Sequence, residues 1–191
     1  MSGGCAERPQ GDRAARRRRY GLTVATALDD AVADFVGEVG AALADVMAAT
    51  GTGDGTVARR DAALEAFAVA CAVVDADGRH ADDELWAIIT AFAPLLDTQL
   101  AGATPETVRR AGLVEGRAAW LREPSPLFST LVAFDRSRGS TFARSYLNRA
   151  FRLGLALAAV DLVTSEAELR AVEGLRGTLL AALPQIGRAH V

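Results

Sequence analysis

Apolar residues recur at intervals of three and four along most of the chain. Leu28, Val32, Phe35, Val39 and Leu43 form one such stripe, with acidic residues between them. This spacing places the apolar side chains on one face of an α-helix. The same pattern predicts the main helices over residues 22–47, 57–74, 85–96, 127–138, 141–160 and 165–183, with shorter ones starting at residue 104 and near residues 118–121.

The helix over residues 57–74 is apolar on nearly every face, because alanine and valine fill the positions between Leu64, Phe67 and Cys71. A helix of this kind is expected to be central and buried. It ends in the acidic turn 75–78. Gly78 is expected to take a positive φ there, which only glycine adopts without strain.

The acidic turn has a counterpart later in the chain. Each copy contains an aspartate, a small residue four positions on and a glutamate three further on, and each joins an apolar helix to an amphipathic one. The matched residues, at one constant offset, are Asp77 with Asp161, Ala81 with Ser165, and Glu84 with Glu168. Phe67 and Phe151 share that offset. The sequence therefore predicts an all-α fold, a single helical bundle built from two pseudo-repeated helical hairpins around one core.

The second copy has the pattern of a capping box. The Ser165 hydroxyl and the Glu168 carboxylate are expected to satisfy each other's backbone N–H groups at the start of the last helix. Ala81 has no such hydroxyl, so Asp82 or Asp83 is the expected replacement in the first copy.

Composition supports this class. Half of the 191 residues are hydrophobic and only 6% are aromatic, so alanine, leucine and valine must form the core. No apolar run is long enough to cross a bilayer and no signal peptide precedes the helices, which predicts a cytoplasmic protein. Cys5 lies in a polar tail and Cys71 in an apolar helix, so no disulfide is expected.

Residues 1–20 contain six arginines against two acidic residues. With little to bury, this stretch is predicted to be a disordered basic tail ahead of a domain over residues 21–185. The formal net charge of −3 therefore conceals a more acidic body. An acidic body argues against nucleic-acid binding.

Ala76, Asp77, Gly78 and Glu84, set in an apolar helical hairpin, resemble the mark of a family of helical domains. That family is the tellurite-resistance TerB family, also found at the N-terminus of a membrane-bound DnaJ-type co-chaperone. The second copy matches the same pattern without the glycine. The resemblance covers about residues 60–183 and implies a compact all-α domain with a role in partner binding or stress-response assemblies.

The resemblance also implies a divalent metal held by acidic residues of the two turns. Carboxylate oxygens suit hard cations, and Asp75 could add another. The structural alternative is that these acids cap helices and are solvated, and the first turn lacks the residue order of an EF-hand loop. No other cofactor is predicted. The candidate ligands are Asp77, Glu84, Asp161 and Glu168.

Paired hairpins with a linker like residues 127–147 also resemble the N-terminal region of some actinobacterial AAA-type ATPases. The chain itself has no Walker motif and no lysine. Residues 186–191, IGRAHV, match the translation of a sequencing adapter. They are predicted to be non-native, and the natural protein is predicted to continue into the ATPase and to form oligomers through it.

No catalytic residue is assigned. His80 is surrounded in sequence by acids that could raise its basicity, but a solvated histidine explains the same pattern. No serine has a histidine at a recognisable spacing, and Cys71 is expected to be buried. Aromatic residues could mark a binding surface, with core packing as the alternative for Trp86; these are Trp86, Trp120, Tyr20 and Tyr146.

The sequence thus predicts a non-catalytic interaction or regulatory domain, the N-terminal part of a larger AAA-type ATPase. Its partner is expected to be another protein or the downstream ATPase domain. The alternative is a divalent-metal-binding stress-response protein of the tellurite-resistance kind.

Overall fold

The computed structural model describes residues 11–96, 100–160 and 165–183, with side chains from residue 27 onward. Regular structure within these ranges is helical and contains no strand, which confirms the predicted all-α class. A short 3₁₀ helix spans Arg117–Arg122. The α-helices are α1 Gly11–Thr50, α2 Gly55–Val74, α3 Asp82–Phe92, α4 Pro105–Arg110, α5 Pro126–Arg138, α6 Phe142–Ala158 and α7 Glu166–Ala182.

The first helix is longer than its apolar stripe predicted. It begins at Gly11, within the stretch for which the sequence predicted a disordered tail. Arginine and alanine dominate residues 11–20, and both are strong helix formers, so a helix fixed further along can continue through them. Residues 1–10 of the predicted tail lie outside the described residues.

The second helix lies at the centre of the bundle, as its apolar faces predicted. It packs against α1, α6 and the 3₁₀ helix. Ala58, Ala62, Ala66 and Ala70 are completely buried along it. A Cβ atom at Gly40 of α1 would lie 3.4 Å from the Cα of Arg59. Small residues therefore bring the backbones of α1 and α2 close together.

A single hydrophobic cluster joins the helices. The ring of Tyr146 lies at its centre, with centroid distances of 5.3 Å to Phe35 and 5.0 Å to Phe128. Phe67 and Phe151, the matched phenylalanines of the two copies, both pack against this cluster. The prediction that they lie in one globule is confirmed.

The corner between α5 and α6 is held by Asp135. Its carboxylate accepts hydrogen bonds from the amides of Phe142 at 3.0 Å and Ala143 at 2.8 Å, and from Ser140 Oγ at 2.5 Å. Gly139, with a φ of +71°, ends α5 as predicted. The other end of α5, at Pro126 and Leu127, lines the candidate site together with residues of α2.

Candidate functional site

The carboxylate of Asp77 is used by the turn that contains it. The Arg79 amide donates a hydrogen bond to Asp77 Oδ1 at 2.8 Å, and Arg79 Nε lies 4.0 Å from Asp77 Oδ2. Gly78 has the predicted positive φ, at +71°. The first candidate metal ligand thus stabilises an Asx turn after α2.

Glu84 and Glu168 occupy equivalent positions at the starts of α3 and α7. Glu84 Oε2 accepts a hydrogen bond from the Ala81 amide at 2.9 Å, and Glu168 Oε2 accepts one from the Ser165 amide at 3.1 Å. Ser165 Oγ accepts in turn from the Glu168 amide at 3.1 Å, which completes the predicted capping box. Both glutamates are buried. No side chain caps α3 at Ala81, so only the glutamate half of the box is present there.

The structure leaves the metal prediction open. Asp161 lies outside the described residues. Within the ranges that are described, no group of three or more histidine, cysteine, aspartate or glutamate side chains is placed to hold a metal ion. Binding of a divalent metal through Asp77, Glu84, Asp161 and Glu168 stays a prediction based on the resemblance.

Asp75 contacts residues outside its own helix on both sides of its carboxylate. Its Oδ1 lies 2.8 Å from His80 Nε2, and its Oδ2 accepts a hydrogen bond from the Ala118 amide at 2.8 Å. His80 has a φ of +47°, and its carbonyl accepts a hydrogen bond from Arg109 Nη2 at 2.6 Å. Arg109 also pairs with Asp82. Asp75 therefore ties the 3₁₀ helix to the C-terminal end of α2.

A groove with a volume of about 600 Å³ lies between α2 and residues 113–120, which lead into the 3₁₀ helix and which we call the tied segment. Asp61, Leu64, Ala68 and Cys71 of α2 form its floor. We call it the α2 groove. Its remaining lining residues are Leu43 of α1, Glu65 and Phe67 of α2, Leu113, Arg117 and Trp120 of the tied segment, and Pro126, Leu127 and Thr130 of α5.

Charged groups line an otherwise apolar surface in this groove. Tyr146 donates its hydroxyl hydrogen to Glu65 Oε1 at 2.5 Å. Arg117 Nε donates to the Leu113 carbonyl at 3.2 Å, and its guanidinium lies 5.4 Å from the centroid of the Trp120 ring. Among the described residues, neither Asp61 nor Arg117 takes part in an ion pair.

Trp120 forms part of the groove wall while 53% of its surface stays exposed. An exposed indole beside a concave apolar surface is typical of binding sites. Trp86 is also exposed, at 48%, so it does not have the packing role considered as its alternative, and Tyr146 is buried in the core. Tyr20 lies outside the residues whose side chains are described.

Burial suppresses ionisation of two groups beside the groove. It raises the pKa of the Cys71 thiol to about 12, with smaller opposing effects from Arg117 and Asp75. Burial, followed by the charge of Glu65, raises the pKa of Tyr146 well above its usual value. A protonated, buried thiol is a poor nucleophile, so Cys71 is a small apolar part of the groove floor.

The sequence did not reveal the α2 groove. Its residues come from four separate stretches of the chain, and only the exposed Trp120 had been singled out as a candidate. The available signal was a pair of acidic residues, Asp61 and Glu65, at helical spacing beside Leu64 and Ala68.

Comparison of the chain with family models, with curated proteins and with solved structures finds no match. None of the helices in the described part of the chain is long and apolar enough to cross a membrane.

Proposed function

We propose that this chain is a non-catalytic helical interaction or regulatory domain that binds another protein through the α2 groove. The observation that carries the proposal is the groove itself: an open, apolar surface beside an exposed tryptophan. Concave apolar surfaces with a few placed charges are the usual form of binding sites. One side of the groove is also anchored, because Asp75 binds the Ala118 amide of the 3₁₀ helix.

We further propose the two-hairpin arrangement of the TerB-like family and a place at the N-terminus of a larger AAA-type ATPase. Supporting observations are the glutamates at the starts of α3 and α7, which make the same backbone contact, and the two matched phenylalanines that share one core. A regulatory domain of this kind would place its groove where a partner or the downstream domain can bind it.

Photo-crosslinking tests the interaction function. The photoreactive residue benzoylphenylalanine replaces Thr130, an exposed residue at the groove rim. The full chain is expressed and irradiated in its native host cells. The matched control carries it at Arg136, which is exposed on the same helix but does not line the groove. We expect a discrete adduct from Thr130 only, lost when Ala68→Trp fills the groove floor. Identical adducts from both positions, or none from Thr130, would contradict the function.

Sequencing of the uninterrupted gene tests the ATPase proposal separately. We expect the reading frame to continue past residue 185 into a nucleotide-binding motif. A genuine stop codon directly after Val191 would refute this part, while the interaction function would still depend on the crosslinking result.

A further inference from the structure

The floor of the α2 groove is one straight face of a helix. Asp61, Leu64, Ala68 and Cys71 are spaced by three and four residues, so they follow one side of α2. At 1.5 Å per residue, the floor is about 15 Å long. An α-helix of about ten residues, or three turns, spans that length.

Charge changes sign from one end of this floor to the other. Asp61 begins the floor, and Glu65 lies four residues further on, in the half of the floor that is nearer the N-terminus of α2. Arg117 lies at the opposite end, because the neighbouring Ala118 amide is bonded to Asp75 at the C-terminus of α2. Asp61 and Arg117 make no direct ion pair with any residue whose side chain the structure describes. The groove therefore has an acidic end, an apolar middle and a basic end.

From this polarity we infer the occupant, and the inference rests on the proposed interaction function. The geometry points to an amphipathic α-helix of a partner protein that lies antiparallel to α2, with an acidic residue in its first turn facing Arg117 and a basic residue in its last turn facing Asp61 and Glu65. Apolar residues between them, at helical spacing, contact Leu64 and Ala68.

The antiparallel direction follows from helix electrostatics. A helix is stabilised by an acid near its N-terminus and a base near its C-terminus, because these charges complement its macrodipole. A partner helix with that charge order matches the groove only when its C-terminus lies at the Asp61 end. The opposite direction would require a charge order that weakens the partner helix itself.

Two fluorescein-labelled probe peptides test this inference on the full chain. Both are 15-residue, end-capped, leucine- and alanine-rich amphipathic helices of identical composition. In the first peptide, the side that faces the groove has glutamate in the first turn and arginine in the last turn. In the second peptide, arginine is in the first turn and glutamate is in the last turn. Fluorescence anisotropy measures each Kd. The emission of Trp120, in a Trp86→Phe background, reports whether the peptide lies in the groove.

We expect the peptide with glutamate first to bind about tenfold more tightly than its exchanged partner, with a blue shift of Trp120 emission. Ala68→Trp should abolish both signals. The peptides also differ in their own helicity, so the decisive quantity is how their Kd ratio changes between protein variants. Asp61→Arg, which leaves the tied wall unchanged, should reduce the ratio to about threefold or less, and Asp61→Arg with Arg117→Glu should invert it.

Equal affinity for the two peptides, or a ratio that Asp61→Arg leaves unchanged, would overturn the inference. So would binding that Ala68→Trp does not weaken, or no binding of either peptide to the wild-type chain. These outcomes are separable from failure of the proposed function, because a groove-specific adduct from Thr130 can persist when the helical, charge-ordered occupant is refuted. Binding of a small apolar dye without either peptide counts against the inference as well.

Discussion

The starts of α3 and α7 carry the same acidic sequence pattern, but the contacts described around them differ in range. At α7, Ser165 and Glu168 satisfy each other's backbone amides. At α3, Glu84 makes the same backbone contact, but the preceding turn also reaches across the fold through Asp75 to Ala118. The comparison shows that the glutamate makes the same cap contact in both copies, and that in the first copy Asp75, just before the motif, also binds the 3₁₀ helix beside the groove.

Among substitutions at the two helix starts, Asp75→Ala is expected to change the free energy of unfolding most. It removes a charge-assisted acceptor from the Ala118 amide and the partner of His80, so we expect a loss of about 3 kcal/mol in the free energy of unfolding. Chemical denaturation measures this value. The variant should also weaken binding in the α2 groove, because its wall is no longer tied. A loss below about 1 kcal/mol would show that the contact between Asp75 and Ala118 contributes little to the fold.

The loss of stability at alkaline pH compares the two helices that precede the turns, because each contains one buried ionisable group. This group is Cys71 in α2 and Tyr146 in α6. Burial raises the folded-state pKa of Cys71 from 9.0 to about 12, so its contribution to stability is complete below pH 9 and is lost as pH rises towards 12. Each pH unit in that window removes about 1.4 kcal/mol. Tyr146 acts in the same direction from about pH 10.

Denaturation at pH 8 and pH 10.5 measures the alkaline loss. We expect Cys71→Ala to make the dependence shallower and Tyr146→Phe to affect only its upper part. An unchanged slope in Cys71→Ala would mean that the thiol is not buried in the folded protein.

Exchanging the cap residues tests the helix starts directly. Ser165→Ala removes a side-chain cap and should cost about 1 kcal/mol. Ala81→Ser supplies the hydroxyl that α3 lacks at a backbone φ of −58° and ψ of 148°, so it should stabilise the protein by a similar amount. Thermal and urea denaturation measure both variants. Changes of the same sign would indicate that the two starts are not equivalent caps.

The smallest effect is expected from Asp77→Ala. The Asp77 carboxylate stabilises a largely local turn, so the cost should be below about 1 kcal/mol. Isothermal titration with Ca²⁺, Mg²⁺ and Zn²⁺ should show no saturable heat in either the wild type or the variant. Saturable binding that Asp77→Ala removes would instead favour the metal-binding alternative of the sequence analysis.

Local features of the structure were predictable because they depend on nearby residues. The capping box at Ser165 and Glu168, the positive φ of Gly78 and the end of α5 at Gly139 are each decided within a few positions. The start of α1 at Gly11 was missed, because the polar stretch before its stripe carries no apolar periodicity although its residues favour helix. The sequence also showed that Ala81 cannot cap α3 through its side chain. The expected replacement, Asp82 or Asp83, was wrong, because Glu84 accepts the hydrogen bond from the Ala81 amide.

By itself, the sequence determined the helical class, the central position of α2 and the acidic turn motif in its two copies, because apolar period and turn chemistry act over a few residues. Only the tertiary structure decided that Asp75 would bind Ala118, and that a groove would form from four distant stretches. Such contacts depend on how whole helices pack and on which charges are left without a partner. No local pattern in the chain encodes either.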